Sequence, residues 1–358
     1  MISQDVVQAA SMRHDGFGFR RFEEDDNWGR VELLELGPTL STPKAEQAIR
    51  ARAARFINCQ VPIVAPLYSI ARGEDGVSIV SGAPDGLTLA DLLGALEFGV
   101  STLNDGAVLE LAAMTVRAVA SMHEMAGTFA HSALTPSHVL LRTDGTVLLT
   151  GAVFGDALQA LQKNREQLWR EFGIALPPSA SLPRFDHRSD VTQLGALVLA
   201  ILLRRALTAD EYPRAVHDLV HTATDRLSIG SKSSIALRLW LQQTLQLQSR
   251  ALFSSAVDAE RAYVSLISAV SDRRAGAVTI QETIRHLAGE ETLADESAPA
   301  RGAAPEAHGS TSEAAAPPSP APVPIAARVR AGSSAQDADS RRGGFTRLRS
   351  MLPNFRPN

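Results

Sequence analysis

The side chains in this chain that could do chemistry are few and scattered. Three histidines, His123, His131 and His138, fall close together, and Asp144 and Asp156 follow them. A metal site built on imidazole needs further thiol or carboxylate ligands beside it, and no such cluster accompanies these histidines. Asp144 belongs to a Thr-Asp-Gly turn signal. Gly16 and Gly18 in DGFGFRRF form a lone G-x-G, for which a turn is a simpler reading than a phosphate cradle. Cys59 is the single cysteine; it implies neither an internal disulfide nor a cysteine-rich metal site, and reads as a small buried hydrophobe.

A different chemistry is written at the C-terminal end. RRGGFTRLRSMLPNFRPN carries Arg341, Arg342, Arg347, Arg349 and Arg356 with no acid, interleaved with Phe345, Leu348, Met351, Leu352 and Phe355. Arg341, Arg342, Phe345, Arg347, Arg349 and Phe355 are the candidate docking residues, for a protein or a membrane surface. A solvated basic end of a polar tail explains the same pattern. Ser333, Ser334, Ser340, Thr346 and Ser350 are candidate phosphoacceptors whose modification would alter that charge.

The elements that must position any of these groups come from a chain of 358 residues with 35 basic and 39 acidic side chains and 45% apolar content. That is enough for one large or two small domains. A formal net charge of -4 gives no long-range attraction to nucleic acid. The N-terminus has Asp5 where a secretory signal would be basic, and no apolar run follows. The longest apolar run, Leu194 to Leu203, is ten residues, half of the roughly 20 that span a bilayer. A cytoplasmic location without a transmembrane segment is expected. From Ala298 to Ser340 there are 14 Ala and seven Pro in 43 residues with no aromatic side chain, a composition that predicts disorder.

Before about residue 96 the pattern is strand-like. Phe17 to Phe22 and Val31 to Leu36 flank the turn-rich EEDDNWG as a hairpin. A helix is predicted from Pro43 to Asn58, and strands over Ile63 to Ile70 and Val77 to Val80. Afterwards helical periodicity dominates, in Ala107 to Met125 and in Val191 to Leu203, the latter apolar nearly all round. Val139 to Leu141 and Val147 to Leu149 flank the Thr143-Asp144-Gly145 turn as a second hairpin. Strands first and helices later predict an α+β arrangement.

HSALTPSHVLLRTDGTVLLTGAVFG, residues 131 to 155, resembles the catalytic loop and following hairpin of the eukaryotic-type protein kinases, H-R-D-L-K-P-x-N-[IV]-L-L and then D-G-x-V-x-L-x-D-F-G. His131, Leu134, Pro136, Val139, Leu140, Leu141, Gly145, Val147 and Leu149 match the framework letters. Residues 50 to 70 are similar to the end of the kinase C-helix and the strand after it, and 77 to 93 to the fifth strand, hinge and following helix. HRSDVTQLGALVLAILL, 187 to 203, is similar to the F-helix with its Asp at Asp190, and LFSSAVDAERAY, 252 to 263, to a stretch near the end of bacterial kinase domains. The resemblance covers roughly residues 16 to 270 and implies a two-lobed protein kinase-like fold. The organisation it gives is an extension (1–13), a small β-rich lobe (14–96), a larger helical lobe (97–290) and a disordered tail (291–358).

Kinases move phosphate by positioning and electrostatics, with a lysine on the phosphates, carboxylates on Mg²⁺ and an Asp orienting the acceptor hydroxyl. In the resemblance those positions hold other residues. Leu34 stands for the lysine, Ala133 for the Asp of H-R-D, Ser132 for its Arg, Thr135 for the loop lysine, His138 for the metal-binding Asn and Gly151 for the Asp of D-F-G. Sliding the register to Val153-Phe154-Gly155 still leaves Val at the Asp position. The helical Glu falls near Arg52. LPR, 182 to 184, stands for A-P-E and puts Arg184 at the Glu position, whose usual Arg partner corresponds to Leu252.

The implied reading is a pseudokinase of bacterial type without catalytic residues, cofactor or metal. It would act as a binding, scaffolding or allosteric module, presenting Phe154 to Arg184 to a protein partner such as an active kinase or a signalling assembly. The framework residues His131, Pro136 and Asp190 keep structural roles. The resemblance makes Asp190 an acceptor for the backbone of the catalytic loop, although a plain helix N-cap predicts nearly the same contacts. The alternative is an atypical ATP-binding phosphotransferase with relocated residues, for which Lys44 is the nearest replacement lysine and Asp156 a carboxylate able to reach a cation.

Overall fold

The structure, a computed structural model, describes residues 12–57, 61–74, 76–178, 182–247, 252–268 and 273–289. The chain begins with β1 (Met12–Asp15), β2 (Gly18–Asp25), β3 (Gly29–Leu36), β4 (Leu67–Gly73) and β5 (Gly76–Gly82). These form an antiparallel sheet in the order β1-β2-β3-β5-β4. The β2–β3 hairpin closes where Asp25 accepts the amides of Asn27 (2.8 Å) and Trp28 (3.2 Å), and Gly29 supplies the left-handed residue with φ of 70°. Its register sets Arg20 opposite Leu34 and Phe22 opposite Glu32. Between β3 and β4 runs α1 (Pro43–Ile57).

A second, three-stranded sheet, β6 (Gly86–Thr88), β7 (Val139–Arg142) and β8 (Val147–Leu149), belongs to the larger lobe. The helices there are α2 (Leu89–Glu97), α3 (Asp105–Ala126), α4 (Gly155–Ala160), α5 (Arg165–Phe172), α6 (His187–Leu203), α7 (Val216–Asp225), α8 (Ser231–Thr244), α9 (Ala256–Ile267) and α10 (Arg273–Leu287). The apolar wrapping of α6 has the expected consequence: every residue from Ser189 to Leu203 is buried, and α3, α7, α8 and α9 pack around it. Asp186 is its N-cap, accepting the amides of Arg188 (3.0 Å) and Ser189 (3.1 Å). The end of α6 is unwound by Arg204 in the left-handed region.

The expected elements lie close to their predicted spans, with several differences. The strand predicted from Ile63 starts only at Leu67, because Ile63 to Ala65 lies along β8 instead: the Leu149 amide donates to the Ile63 carbonyl and the Ala65 amide to the Leu149 carbonyl, both at 2.8 Å. Strand β1 was not expected, and it starts within the stretch assigned to the N-terminal extension. The expected lobe boundary at 96 falls inside α2, whose Leu89, Leu92 and Leu93 enter the core of the larger lobe while β6 pairs with β7. Finally, Phe154 to Arg184 is not chiefly a presented surface. Phe154, Ala157, Leu158, Leu168, Phe172, Ile174 and Leu176 share a core with Phe17, Leu34, Leu36 and Ile49 of the small lobe. The signal for α5 was present in the sequence as the Asn164/Gln167 capping box and the C-terminal Gly173 with φ of 66°.

Among the described residues no helix is long and apolar enough to cross a membrane. The expected tail, its phosphoacceptors and Arg341, Arg342, Phe345, Arg347, Arg349 and Phe355 lie outside the described residues, as does Cys59.

Gly195 lets α6 approach α8: a Cβ there would stand 2.7 Å from the Thr244 hydroxyl and 3.0 Å from the Leu245 side chain. Gly195→Ala should therefore lower stability by about 1–2 kcal/mol, overpacking outweighing the better helix propensity of alanine. A lowered urea midpoint with an unchanged slope is the expected result.

Candidate functional site

The site lies where the small sheet meets the hairpin of the larger lobe. Side chains alternate along a strand, so Glu32, Leu34 and Leu36 share one face of β3, and Arg20 on β2 sits opposite Leu34. Arg20, Glu32 and Leu34 line the cleft together with Val64, Ile79, His138, Gly151 and Phe154. What remains open among them is about 30 Å³, small beside the roughly 300 Å³ or more of a ligand pocket. The cleft is filled by the protein itself.

Arg20 is the largest of the filling groups and is 1% exposed. A buried guanidinium must find acceptors. It donates to Glu32 Oε1, to Asp15 Oδ2 at 3.0 Å and to His138 Nε2 at 3.2 Å. Burial pulls the Arg20 pKa down, but Glu32 and Asp15 more than offset this and hold it above its ordinary value. The local balance is two carboxylates against one cation.

His138, where the resemblance places the metal-binding Asn, completes this network. Its Nδ1 lies 2.7 Å from the Ala133 carbonyl, which can only accept, so the proton sits on Nδ1 and Nε2 keeps its lone pair for Arg20. Burial first, and then the Arg20 charge, hold its pKa well below the usual histidine value. A neutral ring fully committed in this way has nothing left for a cation. Its bulk also explains Gly151. A Cβ at Gly151 would come within 2.7 Å of the imidazole, and the residue has φ of 76°, so an aspartate there would need both a strained backbone and a displaced His138.

The two glycines of DGFGFRRF have packing roles. A Cβ on Gly16 would stand 1.6 Å from the Glu171 carbonyl of α5, and one on Gly18 2.0 Å from the Glu35 carbonyl. Pressed between these contacts, the turn drives Phe17 inward, with its ring centroid 4.5 Å from His138, 4.9 Å from Phe154 and 5.2 Å from Phe172. The turn reading of G-x-G is thus extended: the loop lies down on α5 and packs Phe17 behind His138 and Phe154 of the cleft lining.

Arg52 stands where the resemblance places the helical Glu, and it works in the opposite sense. It is 5% exposed. Its Nε donates to the Ala152 carbonyl (2.6 Å), one terminal nitrogen to Asp156 (2.9 Å), and the other to the Ala130 and His131 carbonyls and the Ser132 hydroxyl. The guanidinium lies over the Phe129 ring, 4.2 Å from its centroid. Burial lowers its pKa and Asp156 opposes that shift. Asp156 does reach a cation, as its position suggested, but the cations are Arg52 and Arg55 of the same chain.

Asp190 accepts the amides of His131 (2.6 Å) and Ser132 (2.7 Å) and faces His123 Nε2 at 2.9 Å. It lies inside α6, and the N-cap is Asp186, so the two readings of this residue are distinguished. These bonds hold Ser132 at φ of 71°, a region that costs a non-glycine residue about 1–3 kcal/mol. Burial opposes ionisation of Asp190, but the His123 hydrogen bond and its neighbours keep the carboxyl below its usual range. The His123 Nδ1 accepts the Ala256 amide at 3.1 Å. His131 is fully buried, which brings its pKa down to about 4. Ala133 is also fully buried, Thr135 meets His138, and Pro136 opens the Pro136–His138 turn. The three histidines are thus engaged separately, and no group of three or more metal-ligating side chains occurs among the described residues. Asp144 stays in its turn, accepting from Thr146 at 2.9 Å. Lys44 is exposed near the start of α1 and does not line the cleft. Arg184 lines a surface hollow beside Leu158 and Lys163.

Arg20, Glu32, Phe17 and the clamp made by Arg52 were not identified as functional from the sequence. Counting back two residues from Leu34 places Glu32 on the inner face, and the hairpin then brings Arg20 to it; that parity was the available signal.

Arg52→Met should cost about 3–5 kcal/mol, since it leaves buried carbonyls without donors and Asp156 with one partner fewer. Arg20→Leu should cost a similar amount by stranding Glu32, and adding Glu32→Leu should recover much of it; a double-mutant cycle in urea measures both. The buried histidines set a pH dependence. His131 and His138 have folded pKa values below the unfolded 6.5, so the unfolded chain binds the extra protons as pH falls. Stability should be full above pH 6.5 and fall by about 1.4 kcal/mol per pH unit for each histidine towards pH 4. His131→Gln should flatten that slope.

No protein-family model matches the chain, and no curated protein matches it. Solved structures do. The kinase domain of maize sucrose-induced receptor kinase 1, solved with AMP-PNP, is 16% identical, and the match covers 74% of this chain and 97% of that domain with a TM-score of 0.55. The kinase domain of M. tuberculosis PknI is also 16% identical over 72% of this chain and 94% of that one, with a TM-score of 0.48. Likeness at such identity is one of fold, and the chain has the two-lobed protein kinase-like fold.

Proposed function

We propose that this protein is a pseudokinase: a kinase-like scaffold that neither holds ATP in the cleft nor transfers phosphate, and that works by binding another protein. The observation that carries the reading is the ion-paired Arg20, seated with Glu32 and His138 in a cleft with about 30 Å³ left open. A nucleoside triphosphate brings several negative charges and needs cations to meet them. Here it would meet two carboxylates, a guanidinium already engaged by both, and no lysine. Entry would require expelling Phe17 and breaking a buried ion pair, each at a cost of a few kcal/mol.

The residues at the kinase positions agree with that account. Leu34 adds apolar surface to the filled cleft, Ala133 offers only backbone, His138 is spent on Arg20, and Gly151 makes room for His138. The rigid set of Arg52 on α1 supports a fixed scaffold with one lobe arrangement, suited to presenting a constant surface to a protein partner, for instance an active kinase or a signalling assembly.

A thermal-shift titration with ATP and Mg²⁺ tests this reading. The expected result is no concentration-dependent change in melting temperature, and a rise of several degrees that needs Mg²⁺ would overturn it. Restoring letters alone should fail as well: the triple variant Leu34→Lys, Ala133→Asp, Gly151→Asp should show no ATP turnover, because Arg20 and Phe17 still fill the cleft.

A further inference from the structure

Helix α7 carries a pair of side chains that neither the cleft nor the catalytic-loop segment uses. In VHDLVHTATD, residues 216 to 225, Val216, Val220 and Ala223 are buried where α7 packs on α6 and α8. That leaves His217 and His221 on the outer side, one turn apart, and residues four apart on a helix lie over the same face. The two imidazoles come together there: their ring centroids are 5.0 Å apart, with 38° between the planes. From that separation small side-chain rotations bring one nitrogen of each ring to the bond length of about 2.0–2.1 Å that a metal ion requires. The His217 side chain is 61% exposed and His221 is half-buried, so an ion can reach the pair from solvent.

His123, His131 and His138 are engaged inside the protein, and these two are not. Asp218 Oδ1 stands 4.0 Å from His217 Nδ1, beyond hydrogen-bond reach, and its own side chain is 94% exposed. Among the described residues neither ring makes a hydrogen bond. A neutral imidazole offers a ring nitrogen with a lone pair, and two of them on one face form a chelate in which the second bond closes within the molecule. The spacing H-x-x-x-H on a helix is the one by which zinc proteases hold their metal through two histidines. Here no third ligating side chain accompanies the pair among the described residues, so the other coordination positions fall to water. Two nitrogen donors without a cluster of oxygens disfavour Mg²⁺ and Ca²⁺ and favour the borderline divalent ions. We propose that His217 and His221 form a bidentate surface site for a divalent transition-metal ion, holding Cu²⁺ more tightly than Ni²⁺ or Zn²⁺.

Titration calorimetry with CuCl₂ on the full chain tests this, with His217→Ala and His221→Ala as variants outside the core. The native protein should show one site per chain that binds about 100-fold more tightly than anything left in either variant, because loss of one imidazole removes the chelate. Combining His221→Ala with Thr222→His keeps the number of histidines but sets the two rings five residues, and about 140°, apart around the helix. That variant should bind as weakly as the single ones. The electron paramagnetic resonance spectrum of the native complex should show coupling to two imidazole nitrogens. An affinity for Cu²⁺ that His217→Ala leaves unchanged overturns the site, and so does one that survives moving the second histidine to position 222. Binding of Mg²⁺ as tight as that of Cu²⁺ overturns the assignment to transition metals.

Discussion

A guanidinium taken out of water has to be given acceptors in place, and Arg20 is the guanidinium on which this structure turns. Its position on β2, opposite Leu34, puts it in the space between the lobes, and the acceptors it collects come from both of them: Asp15 and Glu32 from the small lobe, His138 from the larger. Each acceptor then constrains something else. His138 is held to one tautomer because the Ala133 carbonyl accepts its Nδ1–H. Gly151 has to be glycine because the imidazole lies against it. Phe17 can close over the group because Gly16 and Gly18 let the turn lie flat between α5 and β3.

Arg52 imposes the same requirement one layer deeper. Five acceptors from three segments, Ala130 to Ser132, Ala152 and Asp156, converge on it. That fixes α1 against the larger lobe without the strand-to-helix ion pair that a kinase uses. The two arginines thus take up positions where phosphate chemistry would need an open cleft and a movable helix. Residues that look unrelated along the chain, Ser132, His138, Gly151 and Arg52 among them, become one packing solution in space, in keeping with the proposed function.

Much of the architecture was legible in the sequence. The all-round apolar pattern of Val191 to Leu203 could only be a core helix, and several kinase-like segments in the right order specified two lobes. The resemblance places Leu34, Ala133 and Gly151 at positions where a kinase carries charged groups. What packs around them could not be read that way. The Arg20–His138 contact joins residues 118 positions apart, and Arg52 reaches partners about as distant, so neither follows from local pattern or spacing. Helix α5 was missed for another reason: it is short, and its Leu168, Trp169 and Phe172 gain their stability from tertiary burial against Phe17 and α6 rather than from propensity.

A crystal structure of the protein grown with excess AMP-PNP and Mg²⁺ puts the filled cleft to its most direct test. The account predicts density for the Arg20 guanidinium between Glu32 and His138, Phe17 buried beside it, and no nucleotide between the lobes. Phosphates of the analogue lying in the cleft, with Arg20 and Phe17 swung aside, would contradict it.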